Sequence, residues 1–283
     1  MAQGARRCYH LLMRWAWTVP VLLLWTLLPE TAHAKKSTSS VTTKSASAAK
    51  TPRPAKATGP APRSVGSPTE GALVGGKRIS TSKDLRLVGA LAYGMPALVD
   101  MLERGAAQVA KKHPGSVLTV GDLSRKGGGE VDGHRSHESG RDADLGFYFT
   151  RGGKPFSPKR FATVDAAGNV VGLPSARFDD ARNWVLVESM LTDPKARVLQ
   201  IFVAHHLRAR LLAQAARAGA SPAVRNRAAE VLMQPRKALP HDNHFHVRIA
   251  CPSADRACIN FAKKQKSDDA RAKKQNKKKP KRG

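Results

Sequence analysis

Two stretches of this sequence alternate between apolar and polar side chains, and five of its ten histidines lie in or beside them. From Asp142 to Phe149, Ala143, Leu145, Phe147 and Phe149 fall on one side, with Asp142, Asp144, Gly146 and Tyr148 on the other. From His244 to Ala250, Phe245, Val247 and Ile249 alternate with His244, His246 and Arg248. Side chains two apart on a strand share a face, so each stretch reads as a strand with one apolar side and one side carrying imidazoles or carboxylates.

The segments around them are mixed. Pro96 suits a first helical position, and Leu98, Val99, Leu102, Ala106 and Val109 recur at helical spacing until His113-Pro114-Gly115. Residues 116–121 read as a strand. Asp179 or Asp180 can cap a helix reaching about Leu191, and Val198 to Ala204 reads as a short buried strand. Helices are expected from His206 to Ala218 and from Ser221-Pro222 to about Met233. Helices and strands in this order, without regular βαβ alternation, predict an α+β fold on a mainly antiparallel sheet with helices packed on it.

Both ends differ from this middle. Arg6, Arg7 and Arg14 precede an apolar run from Trp15 to Leu28, and Ala32-His33-Ala34 closes it. That layout predicts a secretory signal peptide over residues 1–34, cleaved after Ala34, and export to the periplasm. An uncleaved anchor is the alternative, but the run falls short of the ~20 residues that span a bilayer. Residues 35–68 are Ser, Thr, Ala, Lys and Pro, a composition that predicts a disordered basic linker. Residues 262–283 carry eleven Lys/Arg against Asp268 and Asp269 and read as a disordered tail. More than half of the net charge of +28 therefore sits in the flanks, and residues 69–261 remain as one domain. Cys251 and Cys258 lie after the signal, so an oxidising compartment favours a disulfide between them; their spacing suits zinc poorly.

Metal-ligand residue types concentrate in two places. Gly133 to Asp144 contains His134, His137, Glu138, Asp142 and Asp144, with Gly133 and Gly140 bracketing a tight loop that feeds the strand at Asp142. His241 to His246 contains His241, Asp242, His244 and His246. Pairing the two strands would put a carboxylate and two imidazoles on one sheet face. Zinc suits such nitrogen and oxygen ligands, and its catalytic sites keep three protein ligands with water in the fourth position. His244 and His246 need not both reach one ion, and the one that does not is placed to act on substrate. His113, His205 and His206 read as helix-end residues without partners nearby in sequence.

HRSHESGRDADLGF resembles the histidine–aspartate motif of the penicillin-insensitive murein endopeptidases, and HDNHFHVRIACP resembles their second histidine motif with its following cysteine. SVGSPTEGALVGGKRI, YGMPALVDMLER and IFVAHHLRARLL agree more loosely, so the resemblance covers about residues 64–260. It implies a small sheet with helices on one side, like that of hedgehog-type and D-Ala-D-Ala peptidases. It also implies His137, Asp144 and His246 as zinc ligands, His244 as the catalytic histidine and His241 as another active-site histidine. His134 falls where the family has a histidine close to the metal, a place for an additional ligand. No Asp-x-x-His follows Asp144, which puts a second metal in doubt, since Asp165, Asp179 and Asp180 lack such a histidine.

The implied substrate is the peptidoglycan peptide cross-link, cleaved between D-alanine and diaminopimelate without a serine acyl-enzyme, and so without inhibition by penicillin. Glu138 and Asp242 adjoin the ligands and are rival bases, while Arg248 or Arg135 could orient a substrate carboxylate. Two other readings keep the fold: a D-alanine carboxypeptidase, or a zinc-bearing binding module without catalysis, against which His244 argues. The lysine-rich tail could bind any polyanion. It lacks interleaved aromatics and follows an export signal, so anionic wall polymers or a membrane surface fit it better than nucleic acid.

Overall fold

The computed structural model describes residues 61–235 and 238–260. The expected signal peptide, most of the expected linker and the lysine-rich tail lie outside these residues. In chain order the strands are β1 (Arg63–Ser67), β2 (Glu70–Val74), β3 (Lys77–Arg78), β4 (Leu85–Leu87), β5 (Tyr93–Gly94), β6 (Leu118–Val120), β7 (Asp142–Gly146), β8 (Phe149–Arg151), β9 (Lys154–Phe156), β10 (Ala176–Phe178), β11 (Val198–Phe202), β12 (Leu232–Met233) and β13 (His244–Ile249). The helices are α1 (Pro96–Lys112), α2 (Asp180–Leu191), α3 (His205–Arg217) and α4 (Pro222–Val231).

The fold is α+β, and its main sheet has six strands in the order β12-β11-β13-β7-β6-β4. The three central pairings are antiparallel, and the outermost pair on each side is parallel. In the β13–β7 ladder Phe245 lies opposite Leu145 and Val247 opposite Ala143. These four side chains are fully buried and join Leu98, Leu102, Leu186 and Leu207 of α1, α2 and α3 in one hydrophobic core. At about 25 cal/mol per Å² of apolar surface removed from water, that shared core holds the two alternating strands face to face. Their other face, with Asp142, Asp144, His244, His246 and Arg248, is therefore directed away from it.

The helix ends follow their expected chemistry. Asp179 caps α2 by accepting the amide of Arg182 at 2.9 Å, and Ser221 caps α4 ahead of Pro222. The expected strand 142–149 is shorter than the alternation suggested. β7 stops at Gly146 because the side chain of Asn183 takes both backbone groups of Tyr148, donating to its carbonyl at 2.8 Å and accepting its amide at 2.9 Å. With those groups satisfied the ladder cannot continue, and Phe149 starts β8 in a separate three-stranded sheet.

Strand structure is present before the expected boundary at residue 69. β1 pairs with β2 as a hairpin, and Ser64 and Ser67 in it are buried. Gly66 bonds on both sides to the C-terminal segment, through Ala257 and Ile259. That segment carries the disulfide between Cys251 and Cys258. The buried guanidinium of Arg141 ties these parts together, donating to Ser64 Oγ (3.0 Å) and to the carbonyls of Ile249 (3.3 Å) and Ile259 (3.0 Å). No helix among the described residues is long and apolar enough to cross a membrane.

Candidate metal centre

Four imidazoles surround the carboxylate of Asp144. His246, its cross-strand partner, holds Nδ1 3.0 Å from Oδ1. His137 Nε2 lies 3.4 Å and His244 Nε2 3.5 Å from the same oxygen, and His134 Nδ1 is 3.8 Å from Oδ2. Asp144, His137 and His246 are buried, while His134 and His244 are half-buried. Burial alone would raise the pKa of the Asp144 carboxyl, but His137, His244 and His246 hold it well below the usual range.

The loop between Val131 and Asp142 delivers two of these rings. Gly133 and Gly140 turn the chain with positive φ at its two ends, and His137 itself sits at φ 77°. A non-glycine residue rarely adopts that conformation, which costs on the order of 1 kcal/mol. His137 is kept there by its own Nδ1, which donates to the carbonyl of Leu123 at 2.6 Å, and by its amide, 3.4 Å from Asp142 Oδ2. The bond to Leu123 keeps a proton on Nδ1 and turns Nε2 toward the carboxylate of Asp144. That nitrogen is buried, has no hydrogen-bond partner of good geometry and points at a carboxylate. In a buried spot that nitrogen and the carboxylate oxygen 3.4 Å away need positive charge between them, supplied by a proton on the ring or by a metal ion.

Donor atoms of His134, His137 and Asp144 all lie within 4.8 Å of one another, a set compatible with a metal ion. Each imidazole has its far nitrogen held, as metal-bound histidines generally do. His134 Nε2 is 3.3 Å from Asp122 Oδ2, and Asp122 is itself fixed by accepting the amide of Leu91. His246 Nε2 is 3.0 Å from Asp142 Oδ1. Burial alone would lower the pKa of His246, but hydrogen bonds to Asp142 and Asp144 lift it to about 9. Asp142 is fully buried, which alone would raise its pKa; Arg248 and His246 instead hold it well below the usual range.

His244 turns its Nδ1 to Asn243 Oδ1 at 2.5 Å, and its ring is stacked on Phe161, with centroids 5.0 Å apart and planes within 15°. His241 lies beside it, 4.9 Å between centroids, with a buried Nδ1 that makes no hydrogen bond of good geometry. Burial first, and then the neighbouring His244 and His246, push the pKa of His241 down to about 4, so it is neutral at neutral pH. The site therefore offers a ring of fixed imidazoles around one carboxylate, with uncharged His241 at its edge.

The five histidines and Asp144 expected at the site come together here, and other expectations are corrected or refined. Arg248 is buried and donates to Asp142 Oδ1 at 2.5 Å and to Gln200 Oε1 at 3.4 Å, so it orients the site's own carboxylate and not a substrate's. Glu138 accepts the amide of Gly71 at 3.1 Å and braces the β1–β2 hairpin, so it is not positioned as a base. Asp165 binds Asn169, Asp179 caps α2 and Asp180 pairs with Arg210. His206, which has no partner nearby in sequence, donates through Nε2 to the distant carbonyl of Val164 at 3.0 Å. Asp122, the Leu123 carbonyl and Phe161 carry no sequence signal: they lie outside both clusters and reach the site only through the fold.

The sequence pattern of the family described as penicillin-insensitive murein endopeptidase matches residues 64–282. The chain is 29% identical over 215 residues to the penicillin-insensitive murein endopeptidase of Haemophilus influenzae, a match spanning 70% of this chain and 67% of that protein. To the protein of the same name from Pectobacterium atrosepticum it is 26% identical over 206 residues, spanning 70% and 68% of the two chains. To that of Salmonella paratyphi C it is 28% identical over 226 residues, spanning 76% of each.

Proposed function

This chain belongs to the penicillin-insensitive murein endopeptidase family, and on that premise we propose that it is a zinc-dependent endopeptidase that hydrolyses D-alanyl–diaminopimelate cross-links of peptidoglycan in the periplasm. The observation that supports the metal part is the convergence of His134 Nδ1, His137 Nε2 and His246 Nδ1 on the Asp144 carboxylate, with the far nitrogen of each ring held by Asp122, the Leu123 carbonyl or Asp142. His137, Asp144 and His246 are the proposed ligands, through Nε2, a carboxylate oxygen and Nδ1. His134 approaches from the side of Asp144 Oδ2 as an additional ligand. Their nitrogen and oxygen donors suit zinc. Zinc bound there supplies a Lewis acid for the scissile carbonyl and an activated water at neutral pH.

The protein's own groups do the rest. Asp142 and the Leu123 carbonyl hold the His246 and His137 rings so that the nitrogens facing Asp144 stay aimed inward. His244, tethered at Nδ1 by Asn243, presents Nε2 on the same side and stabilises charge on the attacked carbonyl or moves the proton to the leaving amine. His241, neutral because it is buried beside two other imidazoles, is a poor proton acceptor and lies at the edge of the site as an uncharged polar group. No serine is acylated in this scheme, so penicillin has no nucleophile to trap.

Mature protein incubated with cross-linked murein fragments, with and without a chelator, tests the proposal when products are weighed by mass spectrometry. Separation of cross-linked dimers into monomers, lost on chelation and restored by zinc, is the expected result. Release of terminal D-alanine alone would reassign the enzyme as a carboxypeptidase, and absence of metal-dependent cleavage would sink the enzymatic reading. Truncation before Ala262 should spare activity on soluble fragments and reduce only retention on intact walls, as a tail that binds anionic polymer requires.

A further inference from the structure

Phe161 lies in the irregular segment 157–163 that follows β9, yet its ring occupies a seat built from three other parts of the fold. One face stacks on His244. Beneath it is Gly146, the residue directly opposite His244 in the β13–β7 ladder, where a Cβ would come within 3.2 Å of the ring. Gly121, just beyond β6, completes the seat, and a Cβ there would meet the ring's Cζ at 2.6 Å. A side chain at Gly121 would force the ring to shift, and one at Gly146 would crowd it. The segment is pinned at both ends. Arg86 donates to the carbonyls of Ser157 and Pro158, each at 3.2 Å, and Val164 donates its amide to the Asp242 carbonyl at 2.9 Å.

His244 therefore has two rings against it, Phe161 at 5.0 Å and His241 at 4.9 Å. Its hydrogen bond to Asn243 fixes one edge, but a single bond at Nδ1 leaves the plane of the ring free to tilt. A flat face pressed on one side removes that freedom and keeps Nε2 directed at the site, 3.5 Å from Asp144 Oδ1. We propose that Phe161 is a positioning residue for His244, stacking on its imidazole from a seat left open by Gly121 and Gly146. This rests on the reading of His244 as the group that acts on substrate.

Misplacing a reacting group by about 1 Å costs up to about a hundredfold in rate, so Phe161→Ala is expected to lower kcat about tenfold or more. KM on soluble murein fragments and zinc affinity should stay within about threefold, because Phe161 is not among the proposed ligands. Phe161→Trp or Phe161→Tyr should recover most of kcat, and Phe161→Leu, which fills space without a flat face, should not. Gly121→Ala, which displaces the ring while leaving it present, should resemble Phe161→Ala in kcat. Histidine-selective NMR of the zinc-loaded protein gives a readout without turnover. The His244 ring protons should carry an upfield ring-current shift in the wild type and lose it in Phe161→Ala. A kcat within twofold of wild type for Phe161→Ala, equal rescue by Leu and Trp, or His244 resonances that do not move would each overturn the proposal. If the wild type shows no metal-dependent turnover at all, the proposed function fails, and the NMR comparison still decides whether Phe161 sets the imidazole.

Discussion

His246 and Asp144 face each other across the β13–β7 ladder with Nδ1 3.0 Å from Oδ1, while Nε2 of the same ring meets Asp142 Oδ1 at 3.0 Å. In the metal-free protein this ring is an imidazolium bridging two carboxylates. Its folded pKa of about 9 is raised above the ordinary 6.5, so the stabilisation is complete below about pH 6.5 and disappears as pH rises through 9. Metal-free protein should therefore lose stability to urea between pH 6.5 and 9, and His246→Gln should flatten that slope. A metal taking Nδ1 must displace the proton, so apparent zinc affinity should climb with pH over the same window, with proton release measurable by calorimetry in buffers of different ionisation enthalpy. A pH-independent affinity there would remove His246 from the ligand set.

Asp142→Asn should separate orientation from ligation. The variant keeps the shape but loses the charge that holds His246 Nε2 and Arg248. Zinc affinity is expected to fall about 10–100-fold, as with other carboxylates behind a metal-bound histidine. Replacing the buried charge opposite Arg248 by a neutral amide should cost about 3 kcal/mol of stability, read from denaturant melts. Unchanged zinc affinity would reduce Asp142 to a structural role.

His137→Ala and Asp144→Ala should each weaken zinc binding by more than about 100-fold, beyond the loss at a supporting residue. His244→Ala should keep zinc and lose turnover. Metal content by mass spectrometry alongside fragment cleavage distinguishes them, and loss of zinc from His244→Ala would move that residue among the ligands.

Arg141 and the disulfide predict a stability effect remote from the chemistry. Burial lowers the pKa of the Arg141 guanidinium to about 10, still protonated at neutral pH, and its hydrogen bonds join β1, the end of β13 and the C-terminal segment. Arg141→Met should destabilise by about 3 kcal/mol, because several buried acceptors lose their donor at once. Replacing Cys251 and Cys258 by serine opens a short loop and should cost about 2–3 kcal/mol. A thermal melt unmoved by either change would mean that this clip does not support the domain.

Much of the site was legible because its residues sit on strands, where facing is a local property. His244 and His246 share a side whatever the tertiary fold does, and so do Asp142 and Asp144. Helix starts at Pro96, Asp179 and Ser221-Pro222 were legible for the same reason: a cap or a proline acts on its own first turn. The β1–β2 hairpin was not, since residues 63–67 look like the linker before them and are ordered by long-range bonds to Ala257 and Ile259. The break of β7 at Gly146 was not, since it depends on Asn183 arriving from α2.

Alternation and residue type alone thus determined which side chains form the polar face and that a cation suits them, because side-chain direction along a strand repeats every two residues regardless of context. Only the tertiary structure decided that Asp144 stands opposite His246, that the Leu123 carbonyl holds the His137 ring, that Arg248 serves Asp142 and that Phe161 lies on His244. Each of those relationships joins residues distant in sequence, and their register comes from packing one shared core, which no local pattern encodes.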